Sequence, residues 1–354
     1  MAIKRVSFSD IDLKKLDDII DVRSPSEYEV DHIPGALNLP VLSDKERKMI
    51  GTIYKQSSKF EAKKLGAALI SSNISNHLKD NIRGKNRDWL PMIYCWRGGQ
   101  RSYAFATILD QIGWNVKVLD QGYKSFRKHV SEFLNRNIEN YFLILLTGNT
   151  GTAKTKLLNL IEERNGQTID LERLANHKGS VFGSQGQKQP SQKLFETLLY
   201  DKLINLKTAE PIFVEAESNK IGNLHIPKEF WKLMKSSPQI EISATVQQRA
   251  QFLVEEYSEI TTDLDLLEKQ ITSLSTIAGH KVVESWLRMA KNKEFFALAK
   301  QLIEKHYDPR YKRGLLRKKK QVFATIKIED ISRKGLSLTV DSILQTANNR
   351  MNTL

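Results

Sequence analysis

The chain has 354 residues, 40% of them hydrophobic, so it is long enough to bury the cores of two domains. Its single cysteine cannot form an internal disulfide, and no run of about 18 apolar residues occurs. We therefore expect a cytoplasmic protein that neither crosses a membrane nor depends on disulfides. The formal net charge of +14 either keeps the protein soluble or attracts a polyanionic partner such as RNA.

Short apolar segments alternate with amphipathic ones along the first third of the chain. The pattern predicts strands at 17–24, 92–95 and 115–119. It predicts a short helix and a turn within 25–40, a helix over 101–113 that ends at Gly113, and a connecting helix over 123–136. This alternation implies a parallel sheet with helices on both faces.

The same alternation begins again with a strand, a glycine loop and a helix over 141–164. Further strands are predicted at 167–171 and 211–218, with a helix at about 190–207 between them. Beyond 246 the chain is mostly helical and charged to roughly 305, and 322–328 is a candidate strand. We expect an α/β protein with three parts, which are a domain at 5–137, a phosphate-binding domain at 138–310 and a basic C-terminal segment at 311–354.

The first candidate site is the stretch "CWRGGQRS" (95–102), which follows a predicted strand and opens a helix. Backbone amides of such a loop converge on one point, where they stabilise a thiolate or a bound oxyanion. Arg97 and Arg101 would add positive charge beside Cys95, and the C-x5-R spacing suits a phosphate-sized anion. We expect Cys95, Arg97 and Arg101 to be catalytic. The anion loop would also use Gly98, Gly99, Gln100 and Ser102.

The second candidate site is "GNTGTAKT" (148–155), which follows an apolar strand and opens a helix. It fits the phosphate-loop pattern G-x-x-x-x-G-K-[ST] except at Ala153, where we expect alanine to fit a helical backbone. Lys154 would reach the phosphates and Thr155 a Mg²⁺ ion, with Asp170 and Glu215 as candidate acids for that metal. The phosphate-binding residues would be Gly148, Thr150, Gly151, Thr152, Lys154 and Thr155.

The first domain resembles the rhodanese family over about residues 5–135. The stretch "DVRSPSEYEVDHIPGALNLP" (21–40) matches the family's upstream signature, and Cys95 falls on its sulfur-carrying cysteine. The cysteine loop is one residue longer than in sulfurtransferases and has the length found in related phosphatases. Tyr94 stands where those phosphatases usually have histidine.

The combination of the two loops in one basic chain resembles the tRNA 2-selenouridine synthases over most of residues 5–311. The matching stretches are 95–102, 148–155, 170–183, 213–222 and 306–311. Ala153 is the main departure, and the last forty or so residues lie outside the resemblance.

The resemblance implies that wobble 2-thiouridine is first alkylated by geranyl diphosphate and then converted to 2-selenouridine by selenophosphate. Geranyl diphosphate and selenophosphate would be co-substrates, with Mg²⁺ as a candidate cofactor and no tightly bound metal. The partners would be the anticodon arm of tRNA and a selenophosphate-supplying enzyme. From the basic residues near the domain junction we expect RNA contacts at Trp96, Lys124, Arg127 and Lys128.

Two other classes of function remain open from the residues. One is a rhodanese-type sulfurtransferase or Cys-x5-R phosphatase fused to a nucleotide-binding domain. The other is a non-enzymatic RNA-binding protein with an inactive rhodanese fold, against which the presence of both Cys95 and Lys154 weighs.

Overall fold

The structure is a computed structural model that describes residues 3–177, 188–216, 218–315 and 322–352. Within these ranges the chain forms two compact units. The first contains 3–137 and 190–203, and the second contains 138–177, 188–189 and the described residues from 204 onward.

The strands and helices are as follows. The strands are β1 (Lys4–Val6), β2 (Asp18–Asp21), β3 (Leu37–Asn38), β4 (Pro91–Tyr94), β5 (Lys117–Leu119), β6 (Leu143–Thr147), β7 (Gln167–Ile169), β8 (Ile212–Glu215), β9 (Lys220–Ile221), β10 (Leu224–His225), β11 (Gln239–Ser243) and β12 (Val322–Lys327). The helices are α1 (Pro25–Val30), α2 (Asp44–Gln56), α3 (Lys59–His77), α4 (Gln100–Ile112), α5 (Tyr123–Arg136), α6 (Lys154–Glu163), α7 (Leu171–Leu174), α8 (Gln192–Ile204), α9 (Lys228–Ser236), α10 (Val246–Glu256), α11 (Ser258–Thr262), α12 (Leu264–Ser273), α13 (Ser275–Ala278), α14 (His280–Lys291), α15 (Phe295–Leu302), α16 (Asp308–Leu315) and α17 (Arg333–Met351). Single helical turns of other types occur at Leu13–Lys15, Leu78–Ile82 and Ile303–Tyr307.

The first unit is built on a five-stranded sheet in the order β1-β5-β4-β2-β3, with every neighbouring pair parallel. Strand β4 is buried along its whole length, which explains its continuous apolar sequence. The predicted strands and helices of this region are confirmed, and α4 ends at Gly113 in the left-handed conformation that glycine favours. The long helices α2 and α3 were not predicted.

Helix α8 belongs to this first unit although it follows β7 of the second one in sequence. Its Tyr200 packs edge-to-face against Phe126 and Phe133 of α5, with ring centroids 6.4 and 5.1 Å apart. Burial of these aromatic faces anchors the helix to α5.

The second unit is built on a five-stranded sheet in the order β12-β11-β6-β8-β7, again with parallel neighbours, and a separate antiparallel pair, β9 and β10. The first strand in sequence, β6, lies in the middle, so the chain leaves it toward β7 and β8 on one side and toward β11 and β12 on the other. Ligands of open parallel sheets bind at such a reversal point, beyond the carboxyl ends of the strands.

The C-terminal part of the chain completes this second sheet. Strand β12, predicted at 322–328, pairs with β11, and α17 packs against α6. Val340 and Ile343 of α17 and Leu157 and Ile161 of α6 are all buried in one apolar core. The α/β fold class, with a helical region toward the C-terminus, is confirmed. None of the helices in the described part of the chain is both long and apolar enough to cross a bilayer.

Candidate functional site

Cys95 lies directly after β4, where the loop to α4 begins. The next turn of the chain, between β5 and α5, passes so close that a Cβ atom on Gly122 would lie 2.1 Å from the carbonyl oxygen of Cys95. Gly98 has φ +61° and its Cβ would lie 2.7 Å from the carbonyl oxygen of Leu119. The loop therefore needs glycine at both positions.

The thiol of Cys95 is buried at the start of α4. The backbone N–H of Gly99 donates to Sγ at 3.2 Å, and the hydroxyl of Ser102 lies 3.3 Å from it. Helix α4 begins at Gln100, and the N–H of Tyr123 at the start of α5 donates to the carbonyl of Cys95 at 2.8 Å. Helix N-termini and free loop amides of this kind favour an anionic group.

The two arginines of the loop have different environments. Arg97 is exposed, whereas the guanidinium of Arg101 donates to the carboxylate of Glu27 at 2.7 and 3.3 Å. Arg47 of α2 approaches the same carboxylate at 3.7 Å. Glu27 therefore balances the charge of Arg101, and the catalytic role of Arg101 stays a prediction. Glu27 also forms the capping box of α1 with Ser24, a signal that the sequence contains.

The pKa of Glu27 reflects these contacts. Burial alone would raise the pKa of this carboxyl, but the hydrogen bonds and charge of Arg101 outweigh burial and lower the pKa below its ordinary value. Glu27 is therefore a charged partner that fixes Arg101 at the start of α4.

The upstream "DVR" signature has a structural role. Arg23 is fully buried, pairs with Asp21 at 2.6 Å and donates to the carbonyl of Asp31 at 2.7 Å. The hydroxyl of Tyr123 donates to Asp31 at 2.7 Å, and that of Tyr94 accepts from the N–H of Ile33 at 3.2 Å. Burial raises the pKa of Tyr94, which remains a neutral hydroxyl beneath the cysteine loop.

The candidate RNA residues of this unit differ in accessibility. Trp96 is 38% exposed, with its ring 5.1 Å from that of Tyr123, and Lys124 and Lys128 are exposed on α5. The guanidinium of Arg127 instead forms an ion pair with Glu196 and donates to the carbonyl of Lys193 at 3.1 Å. Arg127 thus holds α8, and its contact with RNA stays a prediction.

The hairpin of α2 and α3 forms a second basic surface, which was not among the predicted sites. Over residues 44–64 the side chains of seven basic residues are exposed, against three acidic residues in the same segment. The basic residues are Lys45, Arg47, Lys48, Lys55, Lys59, Lys63 and Lys64. Tyr54 and Phe60 are 46% and 70% exposed among them. Exposed aromatic rings between cations are typical of surfaces that bind single-stranded nucleic acid.

The phosphate loop connects β6 to α6 at the reversal point of the second sheet. Gly148 and Gly151 have positive φ, and a Cβ on either would lie within 3 Å of a carbonyl oxygen, that of Ile242 or Arg249. Ala153 also has positive φ, at +54°, in the left-handed region. The expectation that alanine fits here as a helical residue was wrong, because this position favours glycine.

A cavity of about 560 Å³ opens above this loop. Every predicted phosphate-binding residue lines it, as do the two candidate acids, Asp170 and Glu215. The ammonium of Lys154 donates to the carbonyl of Gly148 at 3.1 Å, so its charge lies at the mouth of the loop. The phosphate loop and the two candidate acids therefore line the same cavity.

The acidic side of the cavity includes a residue that was not predicted, Glu172. Its carboxylate accepts from the hydroxyl of Thr155 at 3.4 Å, and its N–H donates to the buried Glu215 at 2.9 Å. Asp170 caps α7 by accepting from the N–H of Arg173 at 2.7 Å. In the described ranges no group of three or more His, Cys, Asp or Glu side chains is arranged to hold a metal by itself.

Residues 306–311, "HYDPRY", also lie at the phosphate loop. Asp308 binds Arg249 and accepts from the amide of Asn149 at 2.8 Å, and Tyr307 and Tyr311 line the cavity. Burial, followed by the charge of Glu241, raises the pKa of Tyr311 to about 12. Its hydroxyl therefore stays protonated at neutral pH. Residues 178–183 of the 170–183 stretch lie outside the described residues.

The parts of the chain that contain the two loops each match a known domain family. Residues 141–273 match the model of the tRNA 2-selenouridine synthase AAA domain, and residues 9–129 match that of the rhodanese-like domain. A tRNA 2-selenouridine synthase of Nitrosomonas europaea is 32% identical over 81% of this chain and 76% of its own length. The chain belongs to the tRNA 2-selenouridine synthase family.

Two further proteins are similar to this chain. The tRNA 2-selenouridine synthase of Psychromonas ingrahamii is 31% identical over 76% of this chain and 72% of its own length. Among solved structures, a rhodanese-related protein of Thermoplasma volcanium is 19% identical over 36% of this chain and 92% of its own, with a TM-score of 0.24. The resemblance to the tRNA 2-selenouridine synthases drawn from the two loops is confirmed.

Proposed function

We propose that this enzyme replaces the sulfur of wobble 2-thiouridine in tRNA by selenium, through an S-geranyl intermediate. The observation that carries the proposal is the presence of two different anion-binding loops in one member of this family. One loop presents Lys154 and the amides of a phosphate loop, and the other presents the buried thiol of Cys95.

The phosphate loop suits the first step. The sulfur of 2-thiouridine attacks C1 of geranyl diphosphate, a C–S bond forms, and the C–O bond to the diphosphate breaks. Negative charge grows on the departing diphosphate, and Lys154 with the loop amides would stabilise it. This step prepares the sulfur for replacement, because an alkylated sulfur is a far better leaving group than a thiocarbonyl.

The acidic side of the cavity fits a magnesium ion in this step. Mg²⁺ prefers oxygen ligands and is usually held by one or two carboxylates together with substrate phosphates. The hydroxyl of Thr155 and the carboxylates of Glu172 and Asp170 line the cavity on that side. A bound Mg²⁺ would neutralise part of the diphosphate charge.

The cysteine loop suits the second step. The selenium of selenophosphate attacks C2 of the base, the C2–S bond breaks, and geranyl thiolate leaves. Water then cleaves the P–Se bond, which leaves selenium on the base and releases phosphate. Cys95 would position the selenophosphate for this attack, with Arg97 as the exposed cation of the loop. A selenophosphate-supplying enzyme is the partner this step requires.

Basic surfaces support tRNA as the substrate. The α2–α3 hairpin and the lysines of α5 are exposed, and cations of this kind bind the phosphate backbone without reading sequence. We propose that they hold the anticodon arm while one splayed base enters each site.

The test is mass spectrometry of nucleosides from tRNA of a deletion strain, with and without this chain supplied on a plasmid. We expect 2-selenouridine only in the complemented strain. Complementation without 2-selenouridine, combined with activity of the purified protein on thiosulfate or a phosphoester, would favour the sulfurtransferase or phosphatase alternative.

A further inference from the structure

An apolar pocket lies beside the phosphate cavity. Helices α10, α12 and α15 surround it, and its volume is about 70 Å³, enough for several water-sized groups. Its walls include Val254, Leu267, Phe295, Leu298, Ala299 and Leu302. A cavity lined by such side chains suits a hydrocarbon group and is unfavourable for a polar one.

The pocket and the phosphate cavity share part of their walls. Thr150 of the phosphate loop, Leu253, Tyr257 and Tyr307 line both. The apolar pocket therefore adjoins the cavity that Lys154 lines.

We propose that this pocket binds part of the hydrocarbon chain of the prenyl diphosphate donor, while the phosphate loop binds its diphosphate. The inference rests on the proposed function and adds the residues that select the donor. Val254 of α10 and Ala299 of α15 line this pocket but do not line the phosphate cavity.

The chemistry of the pocket distinguishes a prenyl donor from a nucleotide. A purine carries several hydrogen-bonding groups, and burying them among leucine and phenylalanine side chains without partners is costly. A prenyl chain has none, and each methylene it buries raises affinity about fourfold. The pocket therefore predicts a preference for geranyl diphosphate over both ATP and inorganic diphosphate.

The experiment is calorimetric titration of the full-length chain with inorganic diphosphate, dimethylallyl diphosphate, geranyl diphosphate and ATP, each with Mg²⁺. Two variants, Ala299→Leu and Val254→Phe, fill the pocket. The control is Phe296→Leu, because Phe296 lies on α15 but is 44% exposed and does not line the pocket. Binding of inorganic diphosphate reports that the phosphate loop of each variant is folded.

For the wild type we expect affinity to rise from inorganic diphosphate to dimethylallyl and then to geranyl diphosphate. The filling variants should lose tenfold or more in affinity for geranyl diphosphate, with inorganic diphosphate and the Phe296→Leu control unchanged. Filled variants that bind geranyl diphosphate as the wild type does would overturn the pocket assignment and leave the proposed function standing. A wild type that binds inorganic diphosphate and geranyl diphosphate equally, or ATP more tightly than either, would overturn the prenyl donor in both proposals.

Discussion

The carboxylate of Asp308 accepts hydrogen bonds from both terminal nitrogens of Arg249, each at 2.8 Å. The same arginine donates to the carbonyl of Thr150 at 3.3 Å, and Asn149 donates to Asp308. The Arg249 side chain is only 4% exposed, so this ion pair is nearly buried. The pair joins α10 and α16 and holds the first half of the phosphate loop.

Removal of Asp308 should therefore destabilise both the fold and the loop. In Asp308→Ala the buried guanidinium of Arg249 loses its counter-charge, and we expect the free energy of unfolding to fall by roughly 3–5 kcal/mol. Chemical denaturation and diphosphate titration would measure the two effects. Arg333→Ala is the matched control, because its ion pair with Glu163 is exposed and should contribute at most about 1 kcal/mol. Equal losses in both variants would contradict this account.

Ala153→Gly should stabilise the protein. The left-handed backbone at Ala153 costs an L-residue about 1–2 kcal/mol, and glycine avoids this cost. Glycine is also more flexible in the unfolded chain, which reduces the gain in stability by about 0.4–1 kcal/mol. We expect a net gain of up to about 1.6 kcal/mol and tighter diphosphate binding. Ala67→Gly, in the middle of α3, should have the opposite sign, with a loss of about 1 kcal/mol. A destabilised Ala153→Gly variant would show that the methyl group contributes packing that outweighs strain.

Stability should depend on pH through Glu27 and Arg101. The pKa of Glu27 lies below its ordinary value of 4.5, so its stabilising contribution is complete above pH 4.5 and is lost as pH falls through the lower, folded-state pKa. Glu27→Gln should thus be less stable than wild type at pH 7, with a difference that shrinks in acid. Arg101→Gln should remove the same pH dependence. A Glu27→Gln deficit that stays constant below pH 4.5 would exclude this pair as its cause.

The sequence was sufficient to locate both loops because each combines local signals in a short segment. A strand, glycines at tight turns and a helix start lie within a few residues of Cys95 and of Lys154. The same local logic failed at Ala153, because it did not indicate the backbone φ at this position. It also could not show that Arg101 pairs with Glu27, a carboxylate distant in sequence.

Residues brought in from far along the chain were beyond the reach of pattern analysis. Asp308 lies 159 residues from its partner Asn149, and nothing in either segment indicates the pairing. Helix α8 could be predicted as a helix, but its packing on α5 through Tyr200 is decided by tertiary contacts. Strand β11 carries the alternating sequence "QIEIS", a signal that was present and was missed.

Binding of an anticodon stem-loop should weaken steeply with salt. The logarithmic slope is expected near −0.7 to −0.9 per phosphate neutralised. Charge reversal at Lys124 and Lys128, or at Lys59 and Lys63, should reduce affinity for all tRNAs alike and lower the slope. Arg127 is a poor choice for this test because its reversal would break the ion pair with Glu196.

The control for that titration is Lys235→Glu, an exposed lysine of α9 outside both basic surfaces. Trp96→Ala should in contrast reduce the preference for the wobble base if its exposed ring stacks on that base. A salt dependence near zero, or equal affinity for an unrelated hairpin of the same length, would contradict tRNA as the substrate.

The most direct test of the two-site account separates the two steps in vitro. Purified wild type, Lys154→Ala and Cys95→Ala would each be given tRNA containing 2-thiouridine, then geranyl diphosphate, then selenophosphate, with nucleosides analysed by mass spectrometry after each addition. We predict that Lys154→Ala leaves 2-thiouridine unchanged, because loss of one charged phosphate contact costs about 1.5–3 kcal/mol before transition-state charge is counted. Cys95→Ala should accumulate the geranylated base and form no 2-selenouridine. Normal 2-selenouridine from either variant, or a block at the same step in both, would contradict the assignment of one step to each loop.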